Sequence, residues 1–171
     1  MSTVTKIEKL RAQVARYILS SNDFEEALSY LYAKPPEDTV VIRRALLTAA
    51  IVAYARPFTN NEKGSSAEVT ATVSLKLNNI LSKDELAQHK HLIEVRNLAI
   101  AHSTSELRPV LYNPLDPPAY LAGHQIFDPL TQAIDRQLFA SACNKLRSAC
   151  FDSMSELNTQ IRKATSVERA N

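Results

Sequence analysis

Apolar residues recur at steps of three and four over residues 4–19, at Val4, Ile7, Leu10, Val14 and Ile18. That spacing predicts an amphipathic helix. Asn22, with Glu25 three positions on, has the pattern of a helix cap and predicts a second helix over roughly 23–33. Lys34-Pro35-Pro36 ends it, and Glu37 and Asp38 suit the first turn of the next helix, where the dipole favours acids. Residues 38–56 are apolar on nearly every side, through Val40, Val41, Ile42, Leu46, Leu47, Ile51, Val52 and Tyr54. A helix with so little polar face is expected at the centre of the molecule. Arg56-Pro57 closes it, because a residue before proline avoids helical geometry. The polar stretch Thr59 to Ser66 reads as a loop.

The second half is patterned in the same way. Residues 69–77 alternate as a strand would, but no partner strand is evident, and helix or irregular structure is the expectation. Ser82-Lys83-Asp84-Glu85 is a capping box that opens a helix running to about His102. Five prolines between Pro109 and Pro129 make 103–127 a long irregular connection. Connections of that length are uncommon without a role. Asp128-Pro129 then pairs an N-cap with a proline at the first helical position. One stripe (Leu130, Ile134, Leu138, Ala142, Leu146, Cys150, Met154, Leu157, Ile161) runs through a long final helix. The expected architecture is all-α, an up-and-down bundle of four to five main helices. Residues 1–165 form one domain, and residues 166–171 are expected to fray.

Composition narrows the function classes. The chain has 171 residues and only two glycines, Gly64 and Gly123, which lie 59 positions apart. A Walker A loop needs two glycines five apart and a dinucleotide fingerprint needs three close together, so neither is present. Glycine-turned hairpin folds are disfavoured for the same reason. Net charge is +2 with no acidic or basic tail, so charge alone does not call for nucleic acid. The longest charge-free apolar stretch, Ala45 to Ala55, falls short of the ~20 residues of a membrane span, and the first residues lack the apolar core of a signal peptide. A cytoplasmic protein without membrane contact is expected. Cys143 and Cys150, seven apart in a helical pattern, are separated by about 10.5 Å of helix rise. That is too far for a disulfide between them, and free buried thiols are expected.

One short motif stands out. The helix from Ser82 ends in Glu94-Val95-Arg96-Asn97-Leu98-Ala99-Ile100-Ala101-His102-Ser103. Arginine, then a polar residue, then a histidine after four to six intervening residues resembles the signature of the HEPN domain superfamily. The stretch His91 to Ser103 is similar to members linked to abortive infection and phage defence, and Tyr54-Ala55-Arg56-Pro57-Phe58 is similar to the same group. The resemblance implies a metal-independent ribonuclease without a cofactor, in which an RNA 2′-hydroxyl attacks the adjacent phosphate. His102 would move the proton, Arg96 would stabilise the phosphate charge, and Asn97 would hold the phosphate or orient the histidine. Around an ideal helix Arg96 and His102 stand about 120° apart. The resemblance answers this with a homodimer whose motif helices build one composite cleft. RNA, and an antitoxin protein if the chain is a toxin, are the partners it implies. The alternative is a non-catalytic helical interaction or regulatory module of HEPN-like fold.

Arg56 could reach a phosphate at the same cleft, or cap the central helix through its last carbonyls. Arg43-Arg44 reads as a solvated edge with buried stems. His89 and His91 are two apart and point in different directions on a helix, so the His89-Lys90-His91 run reads as a solvated face and not a metal site. His124 lies in the proline-rich connection without an evident partner.

Overall fold

A computed structural model describes residues 3–59, 73–97, 110–111, 123–124 and 128–170. The fold is an all-α helical bundle. Its elements are α1 (Thr3–Tyr32), α2 (Val40–Ala55), the single turn α3 (Leu77–Ile80), α4 (Lys83–Val95) and α5 (Arg136–Ala170). Val110–Leu111 and Gly123–His124 pair as an antiparallel two-residue ladder, Val110 opposite His124. This gives the proline-rich connection one regular contact; its other residues, and Thr59–Ser66 beyond Thr59, lie outside the described residues. None of the described helices is long and apolar enough to cross a membrane.

Two helices expected at the N-terminus are one. α1 continues through Ser20, Ser21 and Asn22 for 30 residues, about 45 Å. The cap pattern at Asn22 goes unused because a break there would interrupt one continuous buried face, Arg16, Ser20, Phe24, Ala27 and Leu31. Ser20 Oγ donates to the carbonyl of Arg16 at 2.9 Å, within the helix.

α5 runs antiparallel to α1. Arg136, at its start, donates to the Leu31 carbonyl at 3.1 Å, and Arg147 meets Glu25 at 3.0 Å a few turns further on. α5 begins later than Asp128-Pro129 suggests. Asp128 accepts from the Leu130 amide and opens only a 3₁₀ turn over Pro129–Thr131. The cap of α5 is Asp135, whose Oδ1 accepts from the amides of Gln137 and Leu138 at 2.8 and 3.0 Å. Leu130 and Ile134 therefore precede the helix, and Leu130 is exposed. The helical face that enters the core is Phe139, Ala142, Cys143, Leu146 and Cys150, rotated slightly from the expected stripe. At the other end, α5 extends to Ala170.

The core joins these helices to α2 and α4. Tyr54, Phe24, Phe139, Ile51, Leu92 and Leu146 are its largest enclosed side chains. Tyr54 stacks edge-on against Phe139 at 5.0 Å and is tilted against Phe24 at 5.7 Å. Both cysteines are free and buried in the same cluster, and burial pushes each thiol up to about 12. α4 opens with the expected capping box: Ser82 Oγ accepts from the Glu85 amide, and the Glu85 carboxylate accepts from the Ser82 amide. Residues 73–76 are irregular and lead into α3.

Candidate functional site

Arg96 and Asn97 sit where α4 ends. The capping box fixes the start of that helix, and Leu92 and Val95 bury its inner face. The Arg96 amide still bonds back to the carbonyls of Leu92 and Ile93. Arg96 and Asn97 continue the chain as a wider π-type turn; such turns recur at functional sites. Both side chains are half-buried, and Arg96 Nη1 donates to Asn97 Oδ1 at 3.0 Å. Asn97 thus holds one edge of the guanidinium. The third motif residue, His102, lies outside the described residues.

Arg56 is in a different setting. Its exposed guanidinium reaches across to α1, with Nη1 at 2.5 Å from Glu26 Oε2 and 3.3 Å from Asp23 Oδ1. Burial pulls the Arg56 guanidinium down, but these two carboxylates outweigh it and hold it above its ordinary value. For Asp23 burial dominates over the arginine, and its carboxyl is raised. The last carbonyls of this segment are taken by Arg16, which donates to Arg56 O at 3.2 Å and Pro57 O at 2.9 Å. Arg56 is the C-cap of α2 through its amide, which bonds to the Val52 and Ala53 carbonyls, while its side chain clamps the end of α2 to α1. Among the described residues no hydrogen bond joins Arg56 to Arg96 or Asn97.

The histidine run is where sequence reasoning fails most clearly. His89 is only 7% exposed. Its ring stands edge-on to Phe58 at 4.7 Å and to Tyr54 at 5.8 Å, and its Nδ1 is 3.0 Å from the Tyr54 hydroxyl. Burial, reinforced by Lys90, lowers His89 to about 4, so the ring is neutral at pH 7. Burial likewise raises Tyr54 well above 10. His91 is half-buried, with an enclosed Nε2 that has no partner among the described residues. Only Lys90 matches the solvated face expected of all three. One signal was available: His89 follows Glu85 by four and precedes Leu92 by three, so it falls on the inner stripe of α4.

The same stripe carries two more buried polar groups. Glu85 Oε1 accepts from Ser141 at 2.6 Å and Oε2 from Lys145 at 2.7 Å, tying α4 to α5. Burial pushes this carboxyl up, but Lys145, Ser141 and Ser82 outweigh burial and hold it at about 2. Gln88 Oε1 accepts from the Asp135 amide at 3.0 Å and so links α4 to the cap of α5. Arg44, expected at a solvated edge, is partly buried and paired with Asp128 at 2.7 Å, whereas Arg43 fits that edge and pairs with Asp38 at 3.4 Å. No group of three or more His, Cys, Asp or Glu residues among those described is placed to hold a metal ion.

Among the described residues, Glu85, Arg44 and Arg56 are engaged in ion pairs with other elements, whereas Arg96 and Asn97 bond to each other at the end of α4. No family model, curated protein or solved structure matches this chain.

Proposed function

We propose that this chain is a metal-independent endoribonuclease, or an RNA-binding protein, of the HEPN type. The observation that supports this most is the contact between Arg96 Nη1 and Asn97 Oδ1 at the end of α4, six positions before His102. In the proposed reaction a ribose 2′-hydroxyl attacks the neighbouring phosphorus. A bond forms from phosphorus to O2′, the bond to O5′ breaks, and a cyclic phosphate and a 5′-hydroxyl result. His102 removes the 2′ proton and a proton is returned to the leaving oxygen. Arg96 offers its fork to the charge that builds on the phosphate, and Asn97 keeps the fork aimed. Because the attacking group is a 2′-hydroxyl, DNA is not a substrate. The composite site is completed by the same residues of a second chain. Such an activity suits a cytoplasmic toxin or phage-defence component restrained by an antitoxin protein.

The test is cleavage of RNA by the purified chain, with Arg96→Ala and His102→Ala beside it. Wild type is expected to yield cyclic-phosphate ends, and either substitution is expected to reduce the rate by about 10²–10⁴-fold. Intact RNA with wild type, or equal cleavage by the variants, refutes the enzyme reading. A second reading, a non-catalytic helical interaction module, is favoured by Val40 and Val41, apolar side chains exposed at the start of α2.

A further inference from the structure

Two further arginines meet where the start of α2, the 3₁₀ turn at Pro129–Thr131 and the start of α5 come together. Arg43 and Leu47 are four positions apart and so share a face of α2. With Pro129, Leu130, Ile134 and Arg136 they line a cavity of ≈ 140 Å³. Leu47 and Pro129 are buried, Ile134 is half-buried, and Leu130 is 40% exposed. Gln132 adds a side-chain amide to the lining. Among the described residues of that lining there is no carboxylate. The acids nearest in sequence are engaged elsewhere. Asp128 accepts from Arg44 and from the Leu130 amide, and Asp135 from the amides of Gln137 and Leu138. Asp38 pairs with Arg43 through Nε at 3.4 Å, with both side chains well exposed. A surface pair of this kind is worth little and exchanges readily for a better acceptor.

The walls are fixed by the chain's own hydrogen bonds. The Thr131 amide bonds to the Asp128 carbonyl at 3.1 Å, the Gln132 amide to the Pro129 carbonyl at 3.3 Å and the Ile134 amide to the Gln132 carbonyl at 2.7 Å. Arg44 holds Asp128 at 2.7 Å, and Arg136 is anchored through Nη2 on the Leu31 carbonyl at 3.1 Å. A preformed concavity, apolar over most of its lining with a few polar groups, is the usual form of a small-molecule site. Its residues also state what kind of molecule fits. Two guanidinium groups from different helices repel a cation and suit an anion, and their planar forks match a carboxylate. Size sets a second limit. A cavity of about 150 Å³ holds a molecule the size of benzene, so this one has room for about six or seven non-hydrogen atoms and none for a nucleotide. The leucine, proline and isoleucine surface sets a third, because an inorganic anion would leave it in contact with water. A short branched aliphatic acid meets all three conditions.

We infer that this cavity binds a small branched-chain monocarboxylate, with the carboxylate on Arg43 and Arg136 and the aliphatic end against Leu47, Leu130 and Ile134. Arg43 exchanges Asp38 for the ligand, and Leu130 gains the cover it lacks. The site does not depend on whether Arg96 and Asn97 act on RNA. For a molecule this small a dissociation constant on the order of 0.1–1 mM is expected.

The test is calorimetric titration of the full chain with isovalerate, with acetate, isovaleramide and inorganic phosphate beside it. Isovalerate is expected to bind and, by mass action, to raise the melting temperature. A buried methylene is worth about fourfold in affinity, so acetate, which lacks the branched end, is expected to bind at least about tenfold more weakly. Isovaleramide keeps the shape without the charge and is expected to lose at least about tenfold as well. Arg43→Gln and Leu130→Ser change exposed positions; both are expected to keep wild-type helicity by circular dichroism. Arg43→Gln is expected to weaken isovalerate at least about tenfold, and Leu130→Ser at least about threefold. Arg96→Ala is expected to bind it as wild type does. No heat and no thermal shift with isovalerate at about 10 mM overturns the proposal. So does phosphate or isovaleramide binding as tightly as isovalerate, or affinity that Arg43→Gln and Leu130→Ser leave unchanged. Binding that Arg96→Ala abolishes also overturns it, because the anion would then sit at the end of α4. RNA cleavage by a chain that fails to bind isovalerate removes this site and leaves the proposed activity standing.

Discussion

Replacing Tyr54 by phenylalanine removes one oxygen from the centre of the bundle and almost nothing else. The ring is fully enclosed and touches Phe24, Phe58, Phe139 and His89. Phenylalanine preserves those contacts and creates no cavity large enough to matter. What is lost is the 3.0 Å hydrogen bond between the hydroxyl and His89 Nδ1, and His89 is then left with a buried ring nitrogen facing hydrocarbon. A buried polar atom stranded in this way costs about 1–3 kcal/mol. For a chain of this length that corresponds to a melting temperature lower by roughly 2–12 °C. Thermal and urea unfolding followed by circular dichroism read the loss directly. The double variant Tyr54→Phe/His89→Leu removes both partners, and it is expected to recover part of the loss. If Tyr54→Phe unfolds within about 0.3 kcal/mol of wild type, the pair is not holding α2 to α4 and the reasoning fails. If the single and double variants are equally unstable, the stranded nitrogen is not the cause.

Acid is expected to destabilise the fold in two steps. His89 is held at about 4 against an ordinary 6.5, so below pH 6.5 the unfolded chain binds its proton first and stability falls until about pH 4. The gap corresponds to about 3 kcal/mol as an upper bound, or about 2 after solvent screening; equal urea midpoints at pH 7 and pH 4 would contradict it. Glu85, held at about 2 against 4.5, adds stability above pH 4.5 that is lost as pH falls toward 2. Lys145→Met is expected to make this lower limb shallower, and an unchanged acid limb argues against the Lys145–Glu85 bond. Asp135→Ala removes the cap of α5 and is expected to cost about 1 kcal/mol. Capping of α5 by Asp135 is disproved if chemical denaturation of that variant matches wild type.

How much of this was legible in advance varied with the range of the interaction. The capping box at Ser82 closes on itself within three residues, so its pattern and its structure agree. At Asn22 the same kind of pattern was available, but burial of Arg16, Ser20 and Phe24 on one face kept α1 unbroken. Asp128 and Asp135 are both competent caps in sequence. The choice between them fell to contacts remote along the chain, Arg44 on Asp128 and Gln88 on the Asp135 amide. Of the candidate site, the adjacency of Arg96 and Asn97 was legible in the sequence, and their hydrogen bond is what the folded helix end adds.

Periodicity, proline placement and scarce glycine were enough for an all-helical bundle, for the apolarity of α2 and for unpaired cysteines. Each follows from interactions that close within about one helical turn, or from residues that are simply missing. The burial of His89, the clamp formed by Arg56 and the open side of α2 were decided only when the helices packed. A side chain's type states what it can bond, whereas its neighbours across the core decide whether water remains to compete. His89 carries a polar ring that suits solvent, and Tyr54, 35 positions away, is what makes a dry site tolerable for it. Conversely, nothing in the local pattern of α2 distinguishes Val41 from Leu47. Among the described residues, the packing of α2 against its neighbours covers Leu47 and leaves Val41 exposed.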